Sequence, residues 1–159
     1  MIIWNVINEN IEVMEHLGKL NNLLNINYEI EKIYLEALEN VTDDNLKTFF
    51  RARGYERLEF GNELRLEIEK FGGVPIHSGL ISNNGLYKIW MNFKNLVLME
   101  NEGNLLDEVY KLKELNVEQY NNLLREMNVP LSICKLLVKQ RDAIEATMNA
   151  IKRHEAFVA

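Results

Sequence analysis

A di-iron centre inside a helical bundle needs one Glu from each of two helices and a Glu-x-x-His from each of the other two, all inward. Against that pattern the chain offers Glu56-Arg57-Leu58-Glu59 and Glu145-Ala146-Thr147-Met148. Both have the spacing of the motif, and neither has its histidine. Glu56 falls on the flank of an apolar helical stripe, Glu59 points outward and Glu145 lies off the inward face. His16, His77 and His154 share no ligand spacing. The carboxylate that does fall inward is Glu31, among Arg53, Arg57, Lys113 and the neutral Gln140. Divalent ions placed there would meet fixed cations and too few oxygen ligands. The expectation is therefore a structural polar layer of Glu31, Arg53, Arg57, Lys113 and Gln140, with no metal and no cofactor. Were a metal to bind, it would be iron, held by Glu31, Glu56 and a Glu114 turned in from the flank.

Other chemistry is weaker. Cys134 sits in the first turn of a helix, where a thiol pKa can fall, but no His or Asn is spaced to make a nucleophilic site with it. Tyr28, Tyr34, Tyr110 and Tyr120 recur at helical spacing and read as core and boundary residues. Gly72-Gly73 ends a helix and does not open one, so it is no phosphate loop. No small-molecule substrate is indicated.

The elements that must position these residues are helical. Apolar positions recurring at about 100° per residue predict long helices over about residues 10–41, 45–71, 104–127 and 132–152, with a short crossover helix over about 86–97. Gly18 weakens the start of the first by about 1 kcal/mol relative to alanine. In that helix Asn27 and Glu31 interrupt the apolar stripe, while Glu29, Lys32 and Glu36 are expected to point away. Asp43 and its neighbours form a polar turn so short that the first two helices must be antiparallel. Folding about residue 43 sets Glu31 level with residue 55, between Arg53 and Arg57, and predicts a buried or half-buried Glu31–Arg57 pair with Arg53 close by. Gly72 supplies a left-handed stop to the second helix, and Pro75 follows it. Ser82-Asn83-Asn84-Gly85 signals a turn, and Trp90 and Phe93 are expected to close the crossover onto the bundle. Lys113 and Asn116 share the inward face of the third helix with Tyr120 and Met127. In the fourth, Ser132 is expected to cap, with Leu131 stapled against Leu136, and residues 153–159 to fray.

Length and composition bound the rest. The 159 residues make one domain by size, and two prolines with eight glycines favour an all-α chain. A net charge of −6 with no basic stripe argues against nucleic acid and anionic membranes. One cysteine excludes an intrachain disulfide and points to a reducing compartment. The start carries no basic region or cleavage signature of a signal peptide, and no apolar run approaches the ~20 residues of a membrane span. A cytoplasmic protein is expected.

Two antiparallel helical hairpins joined by a long crossover carrying a short extra helix describe a ferritin-like four-helix bundle. Asn27-Tyr28-x-x-Glu31-Lys32, Glu56-Arg57-x-x-Phe60-x-x-Glu63-Leu64, Trp90-Met91, Tyr120, Pro130, Gln140 and Ile144 resemble one group within that fold. It is an uncharacterised bacterial family, a domain of unknown function distantly related to rubrerythrins. The resemblance spans about residues 18–153 and implies the fold, a bacterial cytoplasmic setting and a connection with stress. It implies no reaction. Lys113 stands where members of that family often have glutamate, and Met148 where some have histidine. The reading is a non-enzymatic bundle with a degenerate metal site. The alternatives are a di-metal iron-handling protein or oxidase, and an interaction module docking through an exposed face or the apolar Met1–Trp4 end. Homodimerisation is the commonest assembly for bundles with spare apolar surface.

Overall fold

Helix α1 runs over Ile2–Asn40 and α2 over Asp44–Lys70, followed by α3 (Leu86–Leu98), a 3-10 turn (Glu102–Asn104), α4 (Leu105–Leu124) and α5 (Leu131–Lys152). This computed structural model describes residues 2–76, 86–99, 101–126 and 128–152, and among them there is no strand. Met1, the Ser82–Gly85 turn, His77, Met127, His154 and the tail 153–159 lie outside the described residues, as does the side chain of Trp4. No helix among the described residues is long and apolar enough to cross a membrane.

The first helix begins at Ile2, well before residue 10, so the exposed Gly18 does not interrupt it. Its other end is sharply defined. Asp43 accepts the Leu46 amide at 2.9 Å as the cap of α2, leaving only Val41–Asp43 to reverse the chain. Glu102 closes that turn from outside, accepting from the Thr42 amide at 2.6 Å, the Thr42 hydroxyl at 3.0 Å and the Asp43 amide at 3.2 Å. At the far end of α2, Gly72 adopts φ 83° and the Gly73 amide reaches back to the Ile68 carbonyl at 2.9 Å. Only a residue without Cβ takes that conformation without strain.

Two glycines set how α1 and α2 meet. A Cβ at Gly54 would lie 3.2 Å from Cδ2 of Leu35, and one at Gly61 would lie 2.9 Å from Cε1 of Tyr28. The helices therefore approach closely along a seam with Leu35 opposite Gly54 and Tyr28 opposite Gly61. Glu31, midway between, comes level with Leu58, three residues from the height expected from a fold about residue 43.

The long helices pack as α1 on α2 and α4 on α5, with α1 also meeting α4 and α2 meeting α5. Among the described residues, no Cα of α2 comes within 8 Å of α4. Their apolar faces gather into two clusters. One contains Ile30, Tyr34, Phe50, Phe93, Val109 and Leu112; the other contains Leu24, Phe60, Leu64, Leu137 and Ile144. Helix α3 joins the first cluster through buried Leu86 and Phe93. Trp90 is only half-buried; its Nε1 donates to Glu36 at 3.0 Å and the Lys94 ammonium lies 3.7 Å from its ring centroid. Trp90 thus borders the bundle and Phe93 enters it.

Three local expectations are corrected. Helix α5 starts at Leu131, with the Cys134 amide donating to the Pro130 carbonyl at 3.0 Å, so Ser132 lies inside the helix and its hydroxyl reaches Glu67 at 3.2 Å. Pro130 cannot donate, and its fixed φ suits the chain just before a helix, which displaces the cap by two residues. Leu131 is 69% exposed and staples nothing. Glu29, expected to point away, is buried, and its Oε2 meets no hydrogen-bonding protein atom.

Candidate functional site: a buried polar layer

Between the two apolar clusters lies a layer of polar side chains drawn from all four long helices. Asn27, Arg57, Lys113, Asn116 and Gln140 are each 0% exposed, and so are Tyr34 and Tyr120. Each stands at a position where helical periodicity continues an apolar stripe, so the fold buries it whatever its chemistry.

Arg57 is the centre. Its Nη1 donates to the Asn27 oxygen on α1 at 2.9 Å and to the Asn116 oxygen on α4. The second bond spans helices that do not pack directly, which only a side chain of guanidinium length can do. The Asn27 amide nitrogen donates to the Leu23 carbonyl at 3.0 Å and to the Tyr120 hydroxyl at 3.1 Å. That hydroxyl donates in turn to Gln140 Oε1 at 2.5 Å, and Gln140 Nε2 returns to the Phe60 carbonyl of α2 at 3.2 Å. The circuit runs α2, α1, α4, α5 and back to α2. Burial pushes the Tyr120 phenol above its ordinary pKa, which keeps the proton that the bond to Gln140 requires.

Arg53 flanks this circuit, donating to Glu56 Oε2 at 3.2 Å and to the Thr147 hydroxyl on α5 at 2.8 Å. Of the residues expected in the layer, the structure brings together Arg53, Arg57, Lys113 and Gln140. Glu31 is half-buried on the α1–α2 seam and lines an outer groove with Tyr28, Leu35 and Glu36. The amides Asn27 and Asn116, not a carboxylate, hold Nη1 of Arg57. The seam keeps Glu31 within one residue of the height of Arg57, so the physical reason is the rotation of α1 about its own axis. It leaves Glu31 beside the glycine seam, while Asn27, one helical turn earlier, takes the position facing the guanidinium. Glu114, named as a ligand if metal bound, is exposed. Glu56 keeps one oxygen in the layer, and Oε1 meets no hydrogen-bonding protein atom. Among the described residues, no three His, Cys, Asp or Glu side chains gather as metal ligands. Cys134 is half-buried, its thiol directed at the Val129 carbonyl at 3.6 Å.

Sequence reasoning placed Asn27, Asn116 and Tyr120 inward but did not join them to Arg57. The signal was present, because Asn27 breaks an apolar stripe just as Arg57 does. What was missing was the partner across the bundle.

The match that decides the family covers residues 15–126, from within α1 through α4 to the turn beyond it. The chain belongs to the family described as Domain of unknown function (DUF2383). Within that span lie Asn27, Tyr34, Arg53, Glu56, Arg57, Lys113, Asn116 and Tyr120; Gln140 and Thr147 lie beyond it. No curated protein matches the chain, and no solved structure does.

Lys113 is the layer's outlier. Its Nζ is fully buried, lies 5.8 Å from the Tyr34 ring centroid and meets no hydrogen-bonding protein atom. Burial, and then the Arg57 charge, hold its pKa well below the usual lysine value. A base whose pKa falls on folding is protonated more readily in the unfolded chain. As pH drops below 10.5 toward the folded pKa, the unfolded state binds the extra proton and stability is lost. Lys113→Met keeps the volume and removes the titration. In chloride-free buffer it is expected to raise unfolding stability at pH 7 by roughly 1–3 kcal/mol, with a smaller gain at pH 10. Urea unfolding at both pH values checks this, and a gain that does not shrink at the higher pH refutes it.

Proposed function

We propose that this DUF2383 protein is a non-enzymatic, ferritin-like four-helix bundle of the bacterial cytoplasm. In this reading it is distantly related to rubrerythrins, connected with stress, and folded as one domain. Its centre has exchanged a metal site for a structural polar layer. The pairwise packing of α1, α2, α4 and α5, with α3 between the two hairpins, supports the bundle reading. The observation that carries the functional reading is the burial of Arg57 and Lys113 at the middle of the layer, the level at which such bundles hold inward carboxylates and histidines.

The residues present do not fit a pair of divalent ions. Two ions need several anionic or imidazole ligands. The layer offers one oxygen-bearing anion, Glu56, already shared with Arg53. Its other oxygens are neutral, belonging to the amides of Asn27, Asn116 and Gln140 and to the hydroxyls of Tyr34, Tyr120 and Thr147. Such a layer fixes register, since each polar side chain is satisfied only when all four helices sit at the correct height.

The test is an anaerobic titration with Fe(II), followed by elemental analysis. Less than 0.2 iron per chain, on the order of adventitious binding, is the expected result. Two irons per chain, with inward carboxylates as ligands in a soaked crystal, would overturn the reading in favour of an iron-handling protein.

A further inference from the structure

The hydrogen-bonding inventory of the layer is unbalanced in one direction. Nη1 of Arg57 spends both its hydrogens on Asn27 and Asn116. Nε and Nη2 of the same guanidinium, Nζ of Lys113 and the hydroxyl of Tyr34 are buried and meet no protein atom at full hydrogen-bonding geometry, although the guanidinium lies near enough to the Tyr34 oxygen to favour its charged form. All of these are donors. The acceptor in the same position is one oxygen of Glu56. Charge leans the same way, since the carboxylate that acts on Lys113 and Tyr34 is Glu56, against Arg53 and Arg57. These groups are close enough to act on one another, for Arg57, Glu56 and Arg53 all perturb Lys113, and the same three perturb Tyr34. A buried cation or donor without a partner is costly, and the cluster holds several at one level of the fold.

We propose that this donor cluster is a binding site for a single small inorganic anion of the halide class, with chloride the physiological occupant. The anion accepts from Arg57 Nε and Nη2, from Lys113 and from the Tyr34 hydroxyl, on the side of the layer away from the Asn27–Tyr120–Gln140 circuit. A monatomic ion is favoured over phosphate or a carboxylate for two reasons. The donors come from three different helices and are fully buried, so the ligand must be accepted from several directions without bringing acceptors of its own that need partners. The outer grooves at Trp90 and at Tyr28 are lined by none of these residues, so the cluster is separate from both, and the buried donors suit a small ion. Glu56 Oε1 works against an anion, and the Arg53 charge on the other oxygen of that carboxylate offsets it in part. The inference rests on the reading of the layer as something other than a metal centre, and adds an occupant to it.

Thermal unfolding of the full chain in sodium chloride and in sodium gluconate at matched ionic strength tests it. A binder of the folded state raises Tm by mass action, so a rise of about 4 °C or more is expected in 150 mM chloride over gluconate. Lys113→Met should lose that difference while remaining folded. Crystals grown in bromide, with data collected at the bromine edge, should show an anomalous peak against Arg57 and Lys113. Equal Tm in the two salts, or a bromide peak only at the surface, overturns the anion site but leaves the structural layer standing. A chloride effect that persists in Lys113→Met places the ion elsewhere and also overturns it. Stoichiometric iron uptake would instead refute the reading beneath both.

Discussion

Replacing Asn27 by leucine is expected to lower unfolding stability by about 3 kcal/mol or more, although leucine is the better helix former. Asn27 makes three side-chain hydrogen bonds, to the Leu23 carbonyl, the Tyr120 hydroxyl and the Arg57 guanidinium. Its loss leaves a fully buried cation with Asn116 as its remaining described acceptor, and weakening the hold on such a group costs more than a neutral hydrogen bond is worth. The asymmetry supplies the decisive control. Taking Arg57 away as well, in Asn27→Leu with Arg57→Met, removes the buried charge and should recover at least half the loss, because apolar packing can replace a buried ionic group at little cost. The coupling read from the double-mutant cycle should reach about 2 kcal/mol. A coupling near zero, by urea unfolding of all four proteins, would show that Asn27 does not hold Arg57.

That cycle addresses the part of the site that was least legible in the sequence. The inward positions of Arg57, Lys113 and Gln140 follow from periodicity on their own helices, because a stripe fixes which side of a helix a residue faces. The partner of Arg57 depends on how two helices are turned against each other, and no single helix encodes it. A fold about residue 43 follows from the short Asp43 turn and puts Glu31 near the height of the guanidinium. Gly54 and Gly61 leave it near that height but turn it aside, because Leu35 and Tyr28, on the same row of α1 as Glu31, settle against the α2 backbone. Both glycines were visible as residues. That they mark a line of close approach becomes visible only when α1 is laid against them.

The fold itself was more legible than the site, at the places where local chemistry dominates. Asp43 caps because its carboxylate reaches the Leu46 amide, and Gly72 stops α2 because φ 83° suits no other residue as well. Reading by stripe fails for residues covered by something other than the main apolar face. Glu29 is 3% exposed although it lies off the α1 stripe. Glu108 is nearly as buried, its carboxylate tied to Asn92 of α3 at 3.3 Å and to Lys111 at 3.1 Å. At Glu108 the reason is a third element laid across the outside, which a stripe on one helix does not anticipate.

Helix α3 is such an element, and Phe93→Ala is expected to cost about 3–5 kcal/mol, the range for emptying a buried aromatic site. The Phe93 ring is 3% exposed and stands edge-on to Phe50, with centroids 6.1 Å apart. Phe50 also contacts Tyr34 at 5.9 Å and Phe49 at 5.4 Å, so one ring from α3 completes a cluster shared with α1 and α2. Removing it leaves a cavity whose walls are already fixed by two packed helices and cannot collapse into it. Trp90→Ala should cost less than half as much, despite the larger side chain. Trp90 is half-buried, and what it loses is an edge contact, the bond to Glu36 and the stacked Lys94. The ordering of the two variants therefore measures how α3 is attached. Urea unfolding of both, with amide exchange over Leu86–Leu98 as a local probe, makes the comparison. If Trp90→Ala proves the more damaging, α3 is held from its edge, and Phe93 is not the residue that pins it to the core.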